Sequence, residues 1–438
     1  MPYCELSSNG IRLFYRRYGH GSTKVLCIIE IWGCFVDGFG VGLAGTHDSW
    51  RPQIKGLIGD LKPREEEEEE AASPGPEEAG GKRSDVADQK RQEEEEEGGI
   101  EVCCFDNRGA GRSSVPTTKS DYTWSIIPTS NALLEQKKLK CRTTIMAKDA
   151  LALLDHLGWE KAHVFGHSMG AMIACKLAAM APERICSLAL LSVTGGGYEC
   201  FPKIDLQTLS LAFRFLRAKT PEERASVDLE THYTKEYLDE YVGSCKRRNI
   251  LYQEYVKALS SKGMQSAIGF EGQSNACWTH SLTSNELRTI HTSGFLVSVI
   301  HGRCDIIAQL EHARRLAEKL HPVAKMVELR GGHLVNHERP DEINGALMDL
   351  IKASKLKLKP EEWSSFAVKQ SGWLVMGEQM PLAKRNNHGA SPLLIMFNLL
   401  GKLPLSCIYF FGSFIMACEN MKNSFNILKP VRVAALDS

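Results

Sequence analysis

Gly166-His167-Ser168-Met169-Gly170 is the segment of this sequence best suited to chemistry. It reads G-x-S-x-G and lies between the apolar run AHVF and the helical pattern MIACKLAAM. A serine on a strand-to-helix turn takes strained backbone angles, and glycines two before and two after it let the neighbouring chain come close. The turn lifts the hydroxyl into a cleft. It also sets the N-terminus of the next helix beneath it, where free N–H groups favour negative charge. The chemistry this implies is nucleophilic attack by Ser168, which requires a base and an orienting acid.

Two later segments offer them. HGRCD follows the apolar run GFLVSVI and places Asp305 in a turn after a strand end. Gly331-Gly332-His333 follows KMVEL and places His333 on a glycine loop. The chain order Ser, Asp, His suits a nucleophile elbow. His333 is expected to take the Ser168 proton and return it to the leaving group, while Asp305 holds the imidazole tautomer. Two N–H donors must meet the developing oxyanion. One is expected from the Met169 backbone. The other is expected from Leu43 in the loop Gly42-Leu43-Ala44-Gly45-Thr46, with Trp32-Gly33-Cys34 as the competing loop. His167, beside the nucleophile, either lines the substrate pocket or packs beneath the elements above it. His337 packs against or caps the following helix, and HERP is not HExxH, so no zinc site is expected. His301 and His280 read as structural.

Asp106-Asn107-Arg108-Gly109-Ala110-Gly111-Arg112-Ser113 is rich in glycine and arginine. No GK[ST] follows and no helix opens behind it, so phosphate binding has little support. We read it as a tight loop in which Arg108 and Asp106 pair to support the floor of the site.

These residues need a scaffold. Strands are expected at 11–19, 24–29, 100–106, 162–168, 186–193, 294–302 and 325–331, and helices at 144–158, after Ser168, at 307–320 and at 340–353. Apolar strands alternating with amphipathic helices mean a parallel sheet covered on both faces, an α/β fold. Residues 195–293 carry helical patterns without a strong strand signal and read as a helical lid. Its aromatic residues line an acyl pocket or pack the lid, and Trp278 is assigned to substrate binding. The stretches 30–41, 63–99 and 124–142 break the rhythm as inserted or disordered loops.

Across 438 residues, 53 basic side chains balance 53 acidic ones, which gives no reason to expect nucleic acid as a partner. The balance hides an acidic loop: residues 63–99 hold fifteen Asp and Glu against five Lys and Arg. The 14 cysteines form no CxxC pair. Cys27, Cys103, Cys104, Cys186 and Cys304 fall in or beside apolar runs and read as small buried hydrophobes in a reducing compartment. The N-terminus shows no apolar signal segment, so the chain reads as intracellular and facing the cytosol. An α/β domain is expected over 1–353, a linker over 354–390, an apolar segment over 391–418 and a basic tail over 419–438. Lys402 and Pro404 interrupt the apolar segment. It reads as a membrane anchor, spanning or interfacial, or as a helix packed on the domain or a partner.

Taken together, DNRGAGRS, GHSMG, HGRCD and GGH resemble the α/β-hydrolase fold family, of the AB hydrolase-1 type. GLAGTHDSW, FDNRGAGRSSVP and ACWTHSLT look similar to plant members of unassigned substrate. The resemblance covers roughly 10–60, 100–123 and 143–353. It implies an α/β-hydrolase fold with a mostly parallel sheet of about eight strands and a helical lid. It also implies hydrolysis of a carboxylic ester, whether a small-molecule acyl ester, a thioester or a lipid, through an acyl-enzyme on Ser168. No metal or organic cofactor is implied. A non-catalytic receptor or scaffold on the same fold, and an acyltransferase using the same triad, are the alternatives.

Overall fold

A computed structural model describes residues 2–6, 10–30, 45–64, 98–115, 142–203, 205–262 and 266–365. Eight strands form the main sheet: β1 (Tyr3–Leu6), β2 (Ile11–Tyr18), β3 (Thr23–Glu30), β4 (Ile100–Phe105), β5 (Ala162–Ser168), β6 (Ile185–Leu191), β9 (Leu296–Gly302) and β10 (Ala324–Leu329). The pair β7 (Tyr241–Val242) and β8 (Cys245–Lys246) makes a separate small hairpin. The main sheet runs β1-β2-β4-β3-β5-β6-β9-β10. The β1–β2 and β2–β4 pairs are antiparallel, and all others are parallel. This is the α/β-hydrolase architecture expected from the sequence, with β1 as an addition.

Side chains alternate between the faces of the sheet. On β3, Leu26 and Ile28 join the core on one face, while Val25, Cys27 and Ile29 join the other. The first face is covered by α2 (Arg142–His156) and α3 (Met169–Met180). The second is covered by α1 (Arg51–Ile58) and α12 (Pro340–Lys355). Helix α3 is apolar nearly all round, as a helix packed centrally against the sheet must be.

Between β6 and β9 the chain builds α4 (Leu206–Arg217), α5 (Pro221–His232), α6 (Lys235–Asp239), α7 (Arg247–Lys262), α8 (Ala267–Thr279) and α9 (Ser284–Thr292). Asp205, Thr220 and Thr283 cap α4, α5 and α9 through reciprocal capping boxes, which is why these helices begin where they do. Helices α10 (Leu310–Lys319) and α11 (Val335–Glu338) flank β10.

The folded core runs past residue 353. Helix α13 (Pro360–Ser365) falls in the stretch read as linker. Its Trp363 is 1% exposed, and the indole Nε1–H donates to the Val297 carbonyl at 2.8 Å. An indole that buries its ring and meets its one donor is anchored, so Trp363 belongs to the packed core. Among the described residues no cysteine is in a disulfide. Cys27, Cys103 and Cys104 are buried as expected, whereas Cys186 is half-buried and Cys304 exposed. The stretches 31–41, 65–97, 116–141 and 366–438, and with them most of the three inserts and the apolar segment, lie outside the described residues. No helix of the described residues is long and apolar enough to cross a membrane.

Three buried histidines give the fold a pH dependence. Burial pushes His163 down to about 4 and His280 and His232 down to about 3. Each is neutral when folded and titrates near 6.5 when unfolded, so its contribution is complete above that pH and is lost as pH falls. At pH 5 each costs about 2 kcal/mol relative to pH 7. Asp228, pushed up to about 6 by burial, acts in the opposite direction but is one group against three. The urea midpoint is therefore expected to fall between pH 7 and pH 5, and equal midpoints would contradict the burial of these rings.

Candidate active site

Ser168 ends β5 at φ 55°, ψ −122°, an angle pair that side chains rarely adopt, and α3 begins with the next residue. The two elbow glycines have a steric reason. A Cβ on Gly166 would lie 2.5 Å from the Gly170 carbonyl oxygen, and one on Gly170 would run into that of Ile28. Both contacts are with backbone, which cannot move aside. Gly170→Ala is expected to cost about 2–4 kcal/mol. An unchanged urea midpoint in that variant would show that α3 can slide away from β3.

The three residues expected from separate strand ends converge. His333 Nε2 lies 2.9 Å from Ser168 Oγ, and His333 Nδ1 lies 2.8 Å from Asp305 Oδ2. A carboxylate only accepts, so Nδ1–H donates to Asp305 and Nε2 is left to accept from the Ser168 hydroxyl. Asp305 Oδ1 accepts the Ile307 and Ala308 N–H groups at 2.8 and 2.9 Å. Burial alone would raise the Asp305 carboxyl. The His333 ring beside it, with His301 and the backbone donors, outweighs burial and holds it below the usual carboxylate range. His301 donates its Nε2–H to the Ala308 carbonyl at 2.8 Å and lies 3.6 Å from Asp305 Oδ2.

Met169 opens α3, so its backbone N–H is among those that a helix N-terminus leaves without an intrahelical partner. Leu43 and the competing Trp32-Gly33-Cys34 lie outside the described residues. His167 is fully buried, and its Nε2–H donates to the His333 carbonyl at 2.9 Å. Burial pushes this imidazole well below its ordinary value. Its ring packs edge-on to that of His333, 5.2 Å between centroids. Trp278 lies on α8 with its ring edge-on to Phe201, 4.6 Å between centroids.

Sequence reasoning missed two residues. Ser192, just after β6, has φ 49° and donates its hydroxyl to the same His333 carbonyl at 3.0 Å. Glu338 accepts from Gly332 N–H at 3.0 Å, from Thr234 N–H at 2.8 Å and from the Thr234 hydroxyl at 2.7 Å. It clamps the loop before His333 to the start of α6. Nearby, His337 Nε2–H donates to the Ser49 carbonyl, so its Nδ1 accepts from the Tyr233 hydroxyl at 2.9 Å. Ser192 stands outside any motif, and Glu338 shows only as part of HERP, so neither spacing flagged it.

The DNRGAGRS loop corrects one expectation. Arg108 pairs with Asp149 on α2, at 2.5 and 2.6 Å, and not with Asp106. Asp106 Oδ1 accepts from the backbone N–H and the ring Nδ1–H of His47, both at 2.8 Å, and Oδ2 accepts from Arg112 N–H at 2.9 Å. The carboxylate staples residues 45–48 to the end of β4, because it sits where backbone donors from two loops meet.

Comparison with known proteins agrees with this architecture. A family model described as the alpha/beta hydrolase fold matches residues 85–340. A dihydrolipoyllysine-residue acetyltransferase component of the acetoin cleaving system from Pseudomonas putida is 46% identical over 52 residues, 12% of this chain and 14% of that protein. The chain thus spans only a small part of that relative. The 2-hydroxy-6-oxo-6-phenylhexa-2,4-dienoate hydrolase of Comamonas testosteroni is 24% identical over 216 residues, 48% of this chain and 70% of that enzyme. Among solved structures, a meta-cleavage product hydrolase from Pseudomonas fluorescens superposes with TM-score 0.50 at 19% identity, covering 79% of this chain and 96% of the other. These relatives are bacterial and do not bear on the likeness to plant proteins. With the family model spanning more than half its length, the chain belongs to the alpha/beta hydrolase fold family.

Proposed function

We propose that the chain is a serine hydrolase that cleaves a carboxylic ester through an acyl-enzyme on Ser168, with His333 as base and Asp305 as orienting acid. The observation that carries this reading is the continuous hydrogen-bonded path from Ser168 Oγ through His333 to Asp305, at 2.9 and 2.8 Å, on an elbow held at φ 55°. Ser168 Oγ attacks the ester carbonyl carbon as its proton passes to His333 Nε2. The Met169 N–H holds the oxyanion, aided by a second N–H that we assign to Leu43. Collapse breaks the ester C–O bond, and the departing alkoxide takes the proton from His333. Water then attacks the acyl carbon, gives its proton to His333 and releases the acid, which restores Ser168. Helices α4 to α9 act as the lid over this chemistry. The substrates of this reading are small-molecule acyl esters, thioesters included, or lipids, and 391–418 is proposed as a membrane-associating segment.

Treatment of the full chain with a fluorophosphonate, followed by peptide mass spectrometry, tests the reading. A stoichiometric adduct on Ser168 is expected. A protein that is folded and unlabelled would remove the hydrolase reading and favour a receptor or scaffold on the same fold.

A further inference from the structure

Helix α5 carries Arg224, Asp228 and His232 four residues apart, and therefore on one face. All three are buried, with exposures of 3%, 1% and 2%. The His232 end of this stripe abuts the proposed base. The His232 and His333 ring centroids are 6.1 Å apart, and the His232 carbonyl accepts Leu334 N–H at 3.0 Å. Val227, beside the stripe, packs with Leu211 and Phe215 against Ile306, the neighbour of Asp305. This face of α5 thus overlooks the Asp305–His333 side of the site.

The upper part of the stripe is half used. Arg224 Nε donates to Asp228 Oδ1 at 3.0 Å, and the guanidinium lies over the Phe215 ring, 3.4 Å from its centroid. Arg224 Nη2 and Asp228 Oδ2 are buried without a hydrogen-bond partner. A buried donor and a buried acceptor left unmet are costly, and native folds keep few of them without a reason. Stability is a poor reason here, because apolar residues often replace a buried ion pair at no loss. Between them, an orphan donor and an orphan acceptor match a group that accepts one hydrogen bond and donates another. A methyl group answers neither, and a carboxylate meets Arg224 but is repelled by Asp228. Burial pushes Asp228 up to about 6, so at pH 8 it presents an acceptor.

We propose that Arg224 and Asp228 form the polar end of the substrate site and take a neutral donor–acceptor group, a primary amide or a hydroxyl, on the tail of the ester. This rests on the hydrolase reading above. A helix rises about 1.5 Å per residue, so Asp228 lies about 6 Å and Arg224 about 12 Å along α5 from His232. A tail of hexanoyl length is of the right order.

The test uses the full chain carrying Ser168→Ala, which binds esters without turning them over. Calorimetry at pH 8 compares the phenyl esters of adipamic, hexanoic and adipic acids, together with the reversed esters in which the same tails sit on the alcohol. In one of the two series the amide tail is expected to bind about 10- to 100-fold more tightly than the methyl or carboxylate tail. Adding Arg224→Met with Asp228→Leu should abolish that preference. Should this variant fail to fold, Asp228→Asn keeps the shape and is expected to improve binding of the adipic ester about 10-fold. Equal affinities for all tails in both series, an amide preference that survives Arg224→Met with Asp228→Leu, or an adipic ester that binds no better in Asp228→Asn would overturn the proposal. The fluorophosphonate adduct decides the hydrolase reading separately. An adduct without a tail preference removes the subsite alone, and a tail preference without an adduct leaves the subsite and removes the chemistry.

Discussion

In the Ser168→Ala variant, kcat on an activated ester is expected to fall by about 10⁵- to 10⁶-fold while KM changes little. The substitution removes the proposed nucleophile and keeps what surrounds it. Met169 N–H still opens α3, and His333 still donates to Asp305. On the proposed mechanism, what remains is activation of water by His333 beside the Met169 N–H, so a small residual rate is expected over the uncatalysed reaction. Alanine at φ 55° is as strained as serine, so stability should be nearly unchanged and the loss can be read as chemistry. Activity within 100-fold of the parent, measured on protein free of other esterases, would place the nucleophile elsewhere.

Asp305→Asn is expected to lower kcat by about 10⁴-fold, although the side chain keeps its shape. Asp305 Oδ1 is committed to the Ile307 and Ala308 N–H groups, so the amide oxygen of the asparagine must take that place. Its NH₂ then faces His333 Nδ1, where Oδ2 had been. A donor facing Nδ1 forces the ring proton onto Nε2, and Nε2 can then no longer accept from Ser168. The variant should fold and lose its fluorophosphonate reactivity together with its turnover. An Asp305→Asn protein that still labels at the parent rate would mean that the tautomer is set by something other than Asp305.

How far this site could be read in advance depends on how local each signal is. The elbow is legible because its glycines, its strand and its helix all lie within some twenty residues. Asp305 and His333 are legible because each directly follows an apolar strand. The partner of Arg108 is not, because Asp149 sits 41 positions away on a helix whose approach to β4 no spacing rule encodes. The same holds for Ser192, a single hydroxyl whose importance comes from its φ and from the His333 carbonyl. Strand β1, four residues long, and the hairpin of two-residue strands are too short to show a period of two. Trp363 is a lone aromatic beyond a run of lysines, and only its docking against β9 shows that the core continues to it.

The Glu338 clamp has a kinetic consequence. One carboxylate holds Gly332, next to the base, and Thr234, at the start of α6, while the Tyr233 and Tyr237 hydroxyls donate to His337. These hydrogen bonds tie the residues after α5 to the loop that carries His333. Any motion that swings the end of α5 away from the sheet must drag His333 off Ser168 with it. Entry of a ligand by that route would part His333 from Ser168 for as long as the passage stayed open, so that closing the passage and realigning the two side chains would be a single event.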